Sequence, residues 1–163
     1  SLITSGGSGS MGYEVPGAMG AQVGRPDKTV WSVAGDGGFQ MTMAELATMV
    51  ENKIPVKFAI INNSYLGMVR QWQDLFYEKD YFATIFTGNP DWVKLADAYG
   101  MAGFRVTERQ EVAPAIRAAM SRPGPALVDF QVAQEENVYP FIPPGGGVAQ
   151  IIEAPPIAGR AVR

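Results

Sequence analysis

An aspartate flanked by glycines is the first residue of the sequence whose surroundings suggest chemistry. Asp36 lies in the segment VAGDGGFQ, directly after a short apolar run, with Gly35 before it and two glycines after it. Glycine carries no Cβ, so the backbone can turn sharply there and a ligand can approach the carboxylate closely. A pair of asparagines, Asn62 and Asn63, ends a second apolar run in the same way. Mg²⁺ and other hard cations bind through oxygen atoms such as these side chains carry, so the two positions predict a site for a hard cation.

The two candidate ligands are separated by one strand–helix–strand unit. Residues 29–33 predict a strand, residues 41–53 a helix and residues 55–62 a second strand. Such a crossover makes the two strands parallel. Asp36 and Asn63 should then lie together at the carboxyl edge of the sheet, where open α/β folds bind their ligands.

Strands and helices continue to alternate up to residue 132. Short apolar runs at 102–106 and 126–132 predict strands, and helical spacing of apolar residues recurs at 91–99 and 110–120. A helix is also expected directly after Asn63, with its apolar residues in two stripes that share Trp72: Leu66, Val69 and Trp72, and Met68, Trp72 and Phe76. The sequence therefore predicts an α/β domain with parallel strands.

The two ends of the chain differ from this regular pattern. We expect residues 1–136 to form the α/β domain and residues 137–163, which are rich in proline and glycine, to form a C-terminal tail. The opening SLITSGG leaves too few residues for a buried strand and its connection. We therefore expect the sheet to lack its first strand and the chain to be a fragment of a longer protein.

The composition excludes several kinds of site. The chain has no cysteine and no histidine, which removes thiolate chemistry, disulfides and the commonest transition-metal ligand. A net charge of −3 gives no basic surface for nucleic acid. No apolar run approaches the roughly 20 residues of a membrane span. We expect a soluble, cytoplasmic protein that binds neither nucleic acid nor membrane.

Three polar, glycine-rich turns could offer backbone N–H groups to an anion: residues 5–12, 35–39 and 62–68. The first contains Gly-x-Gly-x-x-Gly from residue 7, the spacing of a dinucleotide fingerprint, but no adequate strand precedes it. We favour a plain glycine-rich turn there. As the alternative, Asp36 belongs to an ordinary turn and the asparagine pair caps a strand end. Their joint placement at one sheet edge favours the cation site.

Two motifs carry a resemblance to a known family. GDGGF, followed after about 25 residues by NN, resembles the binding motif of thiamine-diphosphate enzymes. SGGSGSMGYEVPGAMGAQ and NNSYLGMVRQWQ resemble the large catalytic subunit of acetolactate synthase, also called acetohydroxyacid synthase, and the similarity covers essentially the whole chain. It implies a C-terminal domain with the thiamine-diphosphate-binding fold: α/β, an open, mostly parallel sheet with helices on both faces.

The resemblance also implies thiamine diphosphate and Mg²⁺ as cofactors. Asp36, Asn63 and the backbone oxygen of Tyr65 would bind the metal. Met11 would pack between the two rings of the cofactor. The residues implied to contact the cofactor are Gly9, Ser10, Met11, Gly35, Asp36, Gly37, Gly38, Asn63, Tyr65, Leu66, Gly67 and Met68.

The resemblance implies an activity for the longer enzyme. That enzyme would decarboxylate pyruvate and transfer the hydroxyethyl group to a second 2-ketoacid, in branched-chain amino acid biosynthesis. Its partners would be 2-ketoacid substrates, the pyrimidine-binding domain of the same enzyme across a homodimer, and a regulatory subunit. Trp72 and Met68 would line the substrate channel, with core packing as the alternative for Met68.

No residue of this chain is assigned a catalytic role. The glutamate that activates the cofactor is expected on an N-terminal domain, so the chain alone should be inactive. Two alternatives stay open: another thiamine-diphosphate enzyme, of the pyruvate oxidase or glyoxylate carboligase type, and a non-catalytic α/β module that binds an anion or a partner protein.

Two residues depart from the family pattern. Glu14 stands where a small residue, typically glycine, is usual. A carboxylate beside a diphosphate would be repelled unless it points away from it. Phe141 replaces the usual methionine in the tail.

Overall fold

The computed structural model describes residues 1–153, which form two compact units. The first unit comprises residues 1–64 and 86–132, and the second comprises, of the described residues, 65–85 and 133–153. The predicted boundary at residue 136 stays a prediction about domain organisation. The end of the predicted tail, residues 154–163, lies outside the described residues.

Within residues 1–153, the sheet of the first unit has four strands, all parallel, in the order β1-β2-β4-β3. Gly35 at the end of β1 lies opposite Ile61 of β2, and Asn62 at the end of β2 lies opposite Gln131 of β4. The carboxyl ends of these strands therefore meet at one edge, which confirms the predicted α/β class with an open parallel sheet. The strand bounds are Trp31–Gly35 for β1, Lys57–Asn62 for β2, Ala102–Val106 for β3 and Ala126–Gln131 for β4.

Helices cover both faces of this sheet. Successive strand residues point to opposite faces. The helices of the first unit are Glu14–Gly24 (α1), Asp36–Thr42 (α2), Leu46–Glu51 (α3), Trp92–Ala98 (α5) and Val112–Met120 (α6), and that of the second unit is Gly67–Phe76 (α4). In β4, Leu127 accordingly joins a core cluster with α1, α2, α3 and α5, whereas Val128 joins a second cluster with α6. In the described part of the chain no helix is both long and apolar enough to cross a membrane.

The structure corrects the helix predicted over residues 41–53. Helix α2 begins at Asp36, five residues earlier, and a 3₁₀ turn separates it from α3. Glycines weaken an isolated helix, so the sequence predicts a turn at this glycine-rich start. Tertiary packing overrides that preference, because the ring of Phe39 is buried edge-on against Phe58 and Trp92, with centroid separations of 5.5 and 5.4 Å.

Helix α1 was not predicted at all. Its sequence, EVPGAMGAQVG, contains a proline and several glycines, which disfavour helix in isolation. The proline falls in the first turn, where its missing N–H group does no harm. Burial of Val15 and Ala18 against the sheet stabilises the helix, and the buried side chain of Gln22 accepts a hydrogen bond from the N–H of Val30 just before β1.

The second unit is organised by α4. The buried side chain of Gln71 donates to the carbonyl of Val138 and accepts from its N–H, both at 2.9 Å. The ring centroids of Phe76 and Phe141 are 6.2 Å apart. The first residues of the predicted tail therefore pack against this helix.

Candidate functional site

Asp36 is placed as the sequence predicts, at the junction between the end of β1 and the start of α2. Its side chain is fully buried, and its Oδ2 accepts a hydrogen bond from Nδ2 of Asn89 at 2.6 Å. Its Oδ1 has no hydrogen-bond partner among the described residues. A buried carboxylate oxygen without a partner is unfavourable. A cation bound at Oδ1 would relieve that cost, so the residue fits a metal ligand.

Burial raises the pKa of the Asp36 carboxyl above its ordinary value. The hydrogen bond from Asn89 and the backbone N–H groups of residues 36, 37 and 64 oppose this shift, but desolvation is the larger effect. A positive charge beside a buried carboxylate favours its ionised form. The electrostatics of Asp36 therefore also fit a bound cation.

The asparagine pair ends β2 with one side chain buried and the other half-buried. The side chain of Asn62 is buried, where its Nδ2 donates to Oδ1 of Asp129 at 3.0 Å. Its Oδ1 accepts from the N–H of Ser64 at 3.2 Å, and Ser64 has a left-handed backbone with φ of 58°. Asn62 thus closes the turn that carries Asn63, which is half-buried at the same sheet edge as Asp36.

Asn89 is a member of this site that the sequence analysis missed. Besides the bond to Asp36, its Nδ2 lies 3.2 Å from Oδ1 of Asn62 and 3.4 Å from Oγ of Ser64. The residue lies in the segment FTGNP, between the two predicted helices, and is separated from Asp36 by 53 positions. No local pattern links positions so far apart, so only the folded chain could reveal the contact.

The first glycine-rich turn lies beside the start of α2. The hydroxyl of Thr42 donates to the carbonyl of Gly12 at 2.8 Å. Gly12 has φ of 86°, and a Cβ there would come within 3.0 Å of the Thr42 methyl group, so the position requires glycine. The N atom of Gly12 lies 3.6 Å from where a Cβ of Gly38 would be. The structure therefore brings Gly12, at the end of the turn that carries Gly9, Ser10 and Met11, to the start of α2, which carries Gly37 and Gly38.

Glu14 occupies the space at this junction. A side chain at Gly38 would collide with Oε1 of Glu14, so the carboxylate points toward Gly38 and not away from it. An anion bound at the start of α2 is therefore expected to be repelled by Glu14.

The remaining predicted site residues belong to the second unit. Tyr65 is its first residue, and the N–H of Leu66 donates to the carbonyl of Thr84 at 2.9 Å just before α4 begins at Gly67. Met68 and Trp72, on α4, are 49% and 40% exposed.

The apolar side of α4 is exposed among the described residues, and the role of Met68 stays a prediction. The apolar residues of the predicted stripes are exposed or only half-buried, whereas the buried residues of the helix are Arg70 and Gln71. The guanidinium of Arg70 lies 5.1 Å from the ring centre of Tyr65 and 4.9 Å from that of Tyr81. These cation–π contacts hold the polar face of the helix inward.

In the part of the chain that the structure describes, no three carboxylate, histidine or cysteine side chains cluster as a metal site. The predicted metal and cofactor contacts stay predictions.

The chain is similar in sequence and in fold to proteins that bind thiamine diphosphate. Residues 1–130 match the family described as thiamine pyrophosphate enzyme, C-terminal TPP binding domain, where thiamine pyrophosphate is a synonym of thiamine diphosphate. The chain is 48% identical over 151 residues to the acetolactate synthase large subunit of Porphyra purpurea, covering 92% of this chain and 26% of that protein. It is 41% identical over 152 residues to the acetolactate synthase isozyme 2 large subunit of Escherichia coli (strain K12), covering 93% of this chain and 28% of that protein.

Two further comparisons extend the similarity. The mitochondrial acetolactate synthase of Schizosaccharomyces pombe is 49% identical over 152 residues, with coverage of 93% of this chain and 23% of that protein. Among solved structures, the thiamine diphosphate-dependent 4-hydroxybenzoylformate decarboxylase of Rhodococcus jostii RHA1 superposes with a TM-score of 0.74 at 29% identity, covering 80% of this chain and 24% of that one. The chain thus spans about a quarter of the length of these proteins.

The fold, the placement of Asp36 at the strand end and the sequence matches agree with one another. This chain belongs to the family of C-terminal, thiamine-diphosphate-binding domains of thiamine-diphosphate enzymes, and its relatives within that family include the large subunits of acetolactate synthases.

Proposed function

We propose that this chain is the thiamine-diphosphate- and Mg²⁺-binding domain of an acetolactate synthase-type enzyme. The longer enzyme decarboxylates pyruvate and transfers the hydroxyethyl group to a second 2-ketoacid, as a transferase of branched-chain amino acid biosynthesis in the cytoplasm. The observation that carries the proposal is the buried carboxylate of Asp36, with one oxygen unpaired, at the ligand-binding edge of a parallel sheet. The acetolactate synthase relatives support the choice of reaction.

The metal ligands are Asp36 and Asn63, with the carbonyl oxygen of Tyr65 as the third. Support for Asp36 comes from its unpaired Oδ1, and support for Asn63 from the turn that Asn62 holds at the end of β2. Mg²⁺ in proteins keeps several positions for water and substrate phosphate oxygens. A set with one carboxylate therefore suits a cation that also binds a diphosphate.

The diphosphate is bound beside the start of α2. The N–H groups of Gly37 and Gly38 donate to its oxygens, and Oε1 of Glu14 lies beside Gly38 at this position. When bound, thiamine diphosphate supplies the carbanion that attacks a 2-ketoacid carbonyl. The residues proposed to contact it are Gly9, Ser10, Met11, Gly35, Asp36, Gly37, Gly38, Asn63, Tyr65, Leu66, Gly67 and Met68.

Met68 and Trp72 line the channel for 2-ketoacid substrates. Their partial exposure on α4 supports this role, because side chains that pack only in a core would be covered. An indole beside the incoming ketoacid would favour or exclude substrates by the size of their side chains.

The complete site requires a second domain. This chain contributes the groups for metal and diphosphate, and the activating glutamate belongs to the pyrimidine-binding domain of the same enzyme across a homodimer. A regulatory subunit is a further partner of this type of enzyme. The isolated chain is accordingly inactive.

Acetolactate formation by the full-length enzyme that carries this chain tests the proposal. The expected result is product from pyruvate that depends on both thiamine diphosphate and Mg²⁺. Oxidation of pyruvate or ligation of glyoxylate in place of acetolactate formation would point to another enzyme of the superfamily. The absence of any cofactor-dependent reaction would favour the non-catalytic anion-binding module.

A further inference from the structure

The side chain of Asn89 joins the ends of two strands that are adjacent in the sheet. Its Nδ2 donates to Oδ2 of Asp36 at 2.6 Å, at the end of β1, and lies 3.2 Å from Oδ1 of Asn62, at the end of β2. Its third neighbour is Oγ of Ser64 at 3.4 Å, in the turn that follows β2. One amide group therefore connects Asp36, which follows β1, to the turn after β2 that carries Asn63.

Two oxygens at this junction are buried and lack a hydrogen-bond partner within the described residues: Oδ1 of Asp36 and Oδ1 of Asn89. Asn89 satisfies one carboxylate oxygen of Asp36 and leaves the other without a donor. Each unpaired buried oxygen is unfavourable, because it has lost its hydrogen bonds to water without replacement. A hard cation is the type of ligand that would satisfy such oxygens.

The loop that carries Asn89 is held at both of its ends. At one end, the N–H of Phe86 donates to the carbonyl of Ser64 at 2.9 Å. At the other end, the Asp91 side chain caps α5 by accepting from the N–H of Val93 at 3.1 Å, and it is paired with Arg105. These contacts fix the backbone on either side of the residue.

Arg105 also links this loop back to the asparagine pair. Its Nε lies 3.3 Å from Oδ2 of the buried carboxylate of Asp129, whose Oδ1 accepts from Nδ2 of Asn62. The amide of Asn62 is thereby oriented with its oxygen toward Asn89 and Ser64. Side chains of β2, β3 and β4 thus connect Asn89 back to Asp91 of its own loop.

We propose that Asn89 is a positioning residue of the cation site. Its Nδ2 fixes the Asp36 carboxylate so that Oδ1 is presented to the metal, and it links that carboxylate to the Ser64 turn. The inference rests on the proposed function, since it assigns a role toward the Mg²⁺ of the same site. Groups that orient a metal ligand typically change metal affinity by about 10–100-fold when removed.

The test uses the 163-residue chain with Mn²⁺ as the probe and inorganic diphosphate as the anion. Mn²⁺ binding is followed by water-proton relaxation, which also detects weak binding. We expect Asn89→Ala to weaken the apparent Mn²⁺ affinity by about 10–100-fold relative to the wild type. Asn52→Ala is the matched control, because Asn52 is an exposed asparagine of the same unit whose Nδ2 donates only to a helix carbonyl, that of Thr48.

Asn89→Asp provides a second readout, independent of the first. This variant keeps the size of the side chain but replaces the donor by a carboxylate facing Asp36. In the metal-free chain, we expect a lower melting temperature than in the wild type. We expect Mn²⁺ to raise that temperature more than it does in the wild type, because the cation neutralises two facing carboxylates. A merely structural contact would lower the melting temperature without this added dependence on the metal.

The outcomes separate the inference from the proposed function. Wild-type chain that does not bind Mn²⁺ even at millimolar concentrations would contradict the cation site itself, and the role of Asn89 with it. Binding by the wild type that Asn89→Ala leaves unchanged would contradict only the positioning role. If Asn89→Ala does not fold, an Mn²⁺ response of Asn89→Asp no greater than that of the wild type would overturn the inference.

Discussion

Oε1 of Glu14 lies against the backbone of Gly38, close enough that even a methyl group at residue 38 would collide with it. This contact places a carboxylate beside the turn that we propose binds the cofactor diphosphate. Like charges at short distance oppose binding, and the effect is larger where water is partly excluded.

We therefore expect Glu14→Gln and Glu14→Gly to strengthen diphosphate binding by roughly tenfold, equivalent to about 1.4 kcal/mol. Titration of the chain with Mg²⁺ and inorganic diphosphate measures the effect. Glu51→Gln, at the exposed end of α3, is the control for loss of one negative charge. Equal affinities for the wild type and both Glu14 variants would show that the carboxylate moves away when the anion binds.

Trp72→Leu should change the preference of the full-length enzyme between 2-ketoacid acceptors. Trp72 is 40% exposed on α4, which begins after the ligands Asp36 and Asn63. In the proposed channel, a smaller side chain at this position leaves more space for substrate. The ratio of products in a competition between two ketoacids is the measurement. A variant that loses cofactor affinity but keeps its product ratio would exclude Trp72 from the channel.

Because the side chain of Lys57 is buried, we expect the stability of the folded chain to depend on pH. The Nζ atom of Lys57 donates to the carbonyls of Arg122 at 2.7 Å and Gly124 at 2.5 Å. Burial lowers the pKa of Lys57 below its ordinary value. The unfolded chain then binds more protons than the folded one at pH values between the two pKa values, so the contribution of Lys57 to stability rises as pH increases through that window toward about 10.4.

Comparison with Lys57→Met isolates this contribution, since methionine has no titrating group and a similar length. We expect the free energy of unfolding of the wild type, relative to that of Lys57→Met, to increase as the pH rises toward about 10.4. Urea unfolding at several pH values provides the data. A difference that stays constant or falls over this range would mean that the lysine is solvated in the folded protein.

The sequence contains enough information to place Asp36 and Asn63 but not their neighbours. Both residues follow strands of one strand–helix–strand unit, and the parallel direction of these strands brings their carboxyl ends to one sheet edge. Asn89 reaches the same edge from a loop, and its contact with Asp36 exists only because the loop is fixed by Asp91 and Ser64. Such a contact depends on tertiary structure and leaves no local signal.

Helix propensity explains where the secondary-structure prediction was wrong. Glycines at the start of α2 and within α1 disfavour helix locally, yet both segments are helical because Phe39 and Val15 are fully buried in the core. On α4 the apolar spacing correctly indicated a helix, but the helix buries the polar Arg70 and Gln71. Periodicity identifies the apolar face without showing which partner covers it.

The isolated 163-residue chain should not turn over pyruvate. It contains the proposed metal and diphosphate ligands, but the group that activates the cofactor is expected on another domain. Carbon dioxide release from pyruvate, with saturating thiamine diphosphate and Mg²⁺, is the measurement. Turnover by the chain alone would place the activating acid within it, and Glu14, which lies against the start of α2, would be the first residue to substitute.

Mg²⁺-dependent binding of thiamine diphosphate to the full-length enzyme tests the central claim most directly. We predict that Asp36→Ala abolishes this binding in titration calorimetry, because the only anionic metal ligand is lost while the charge of the diphosphate remains. Asp97→Ala, which removes an exposed carboxylate from α5, should bind as the wild type does. Unchanged cofactor affinity in Asp36→Ala would contradict the assignment of this chain as the metal- and diphosphate-binding domain.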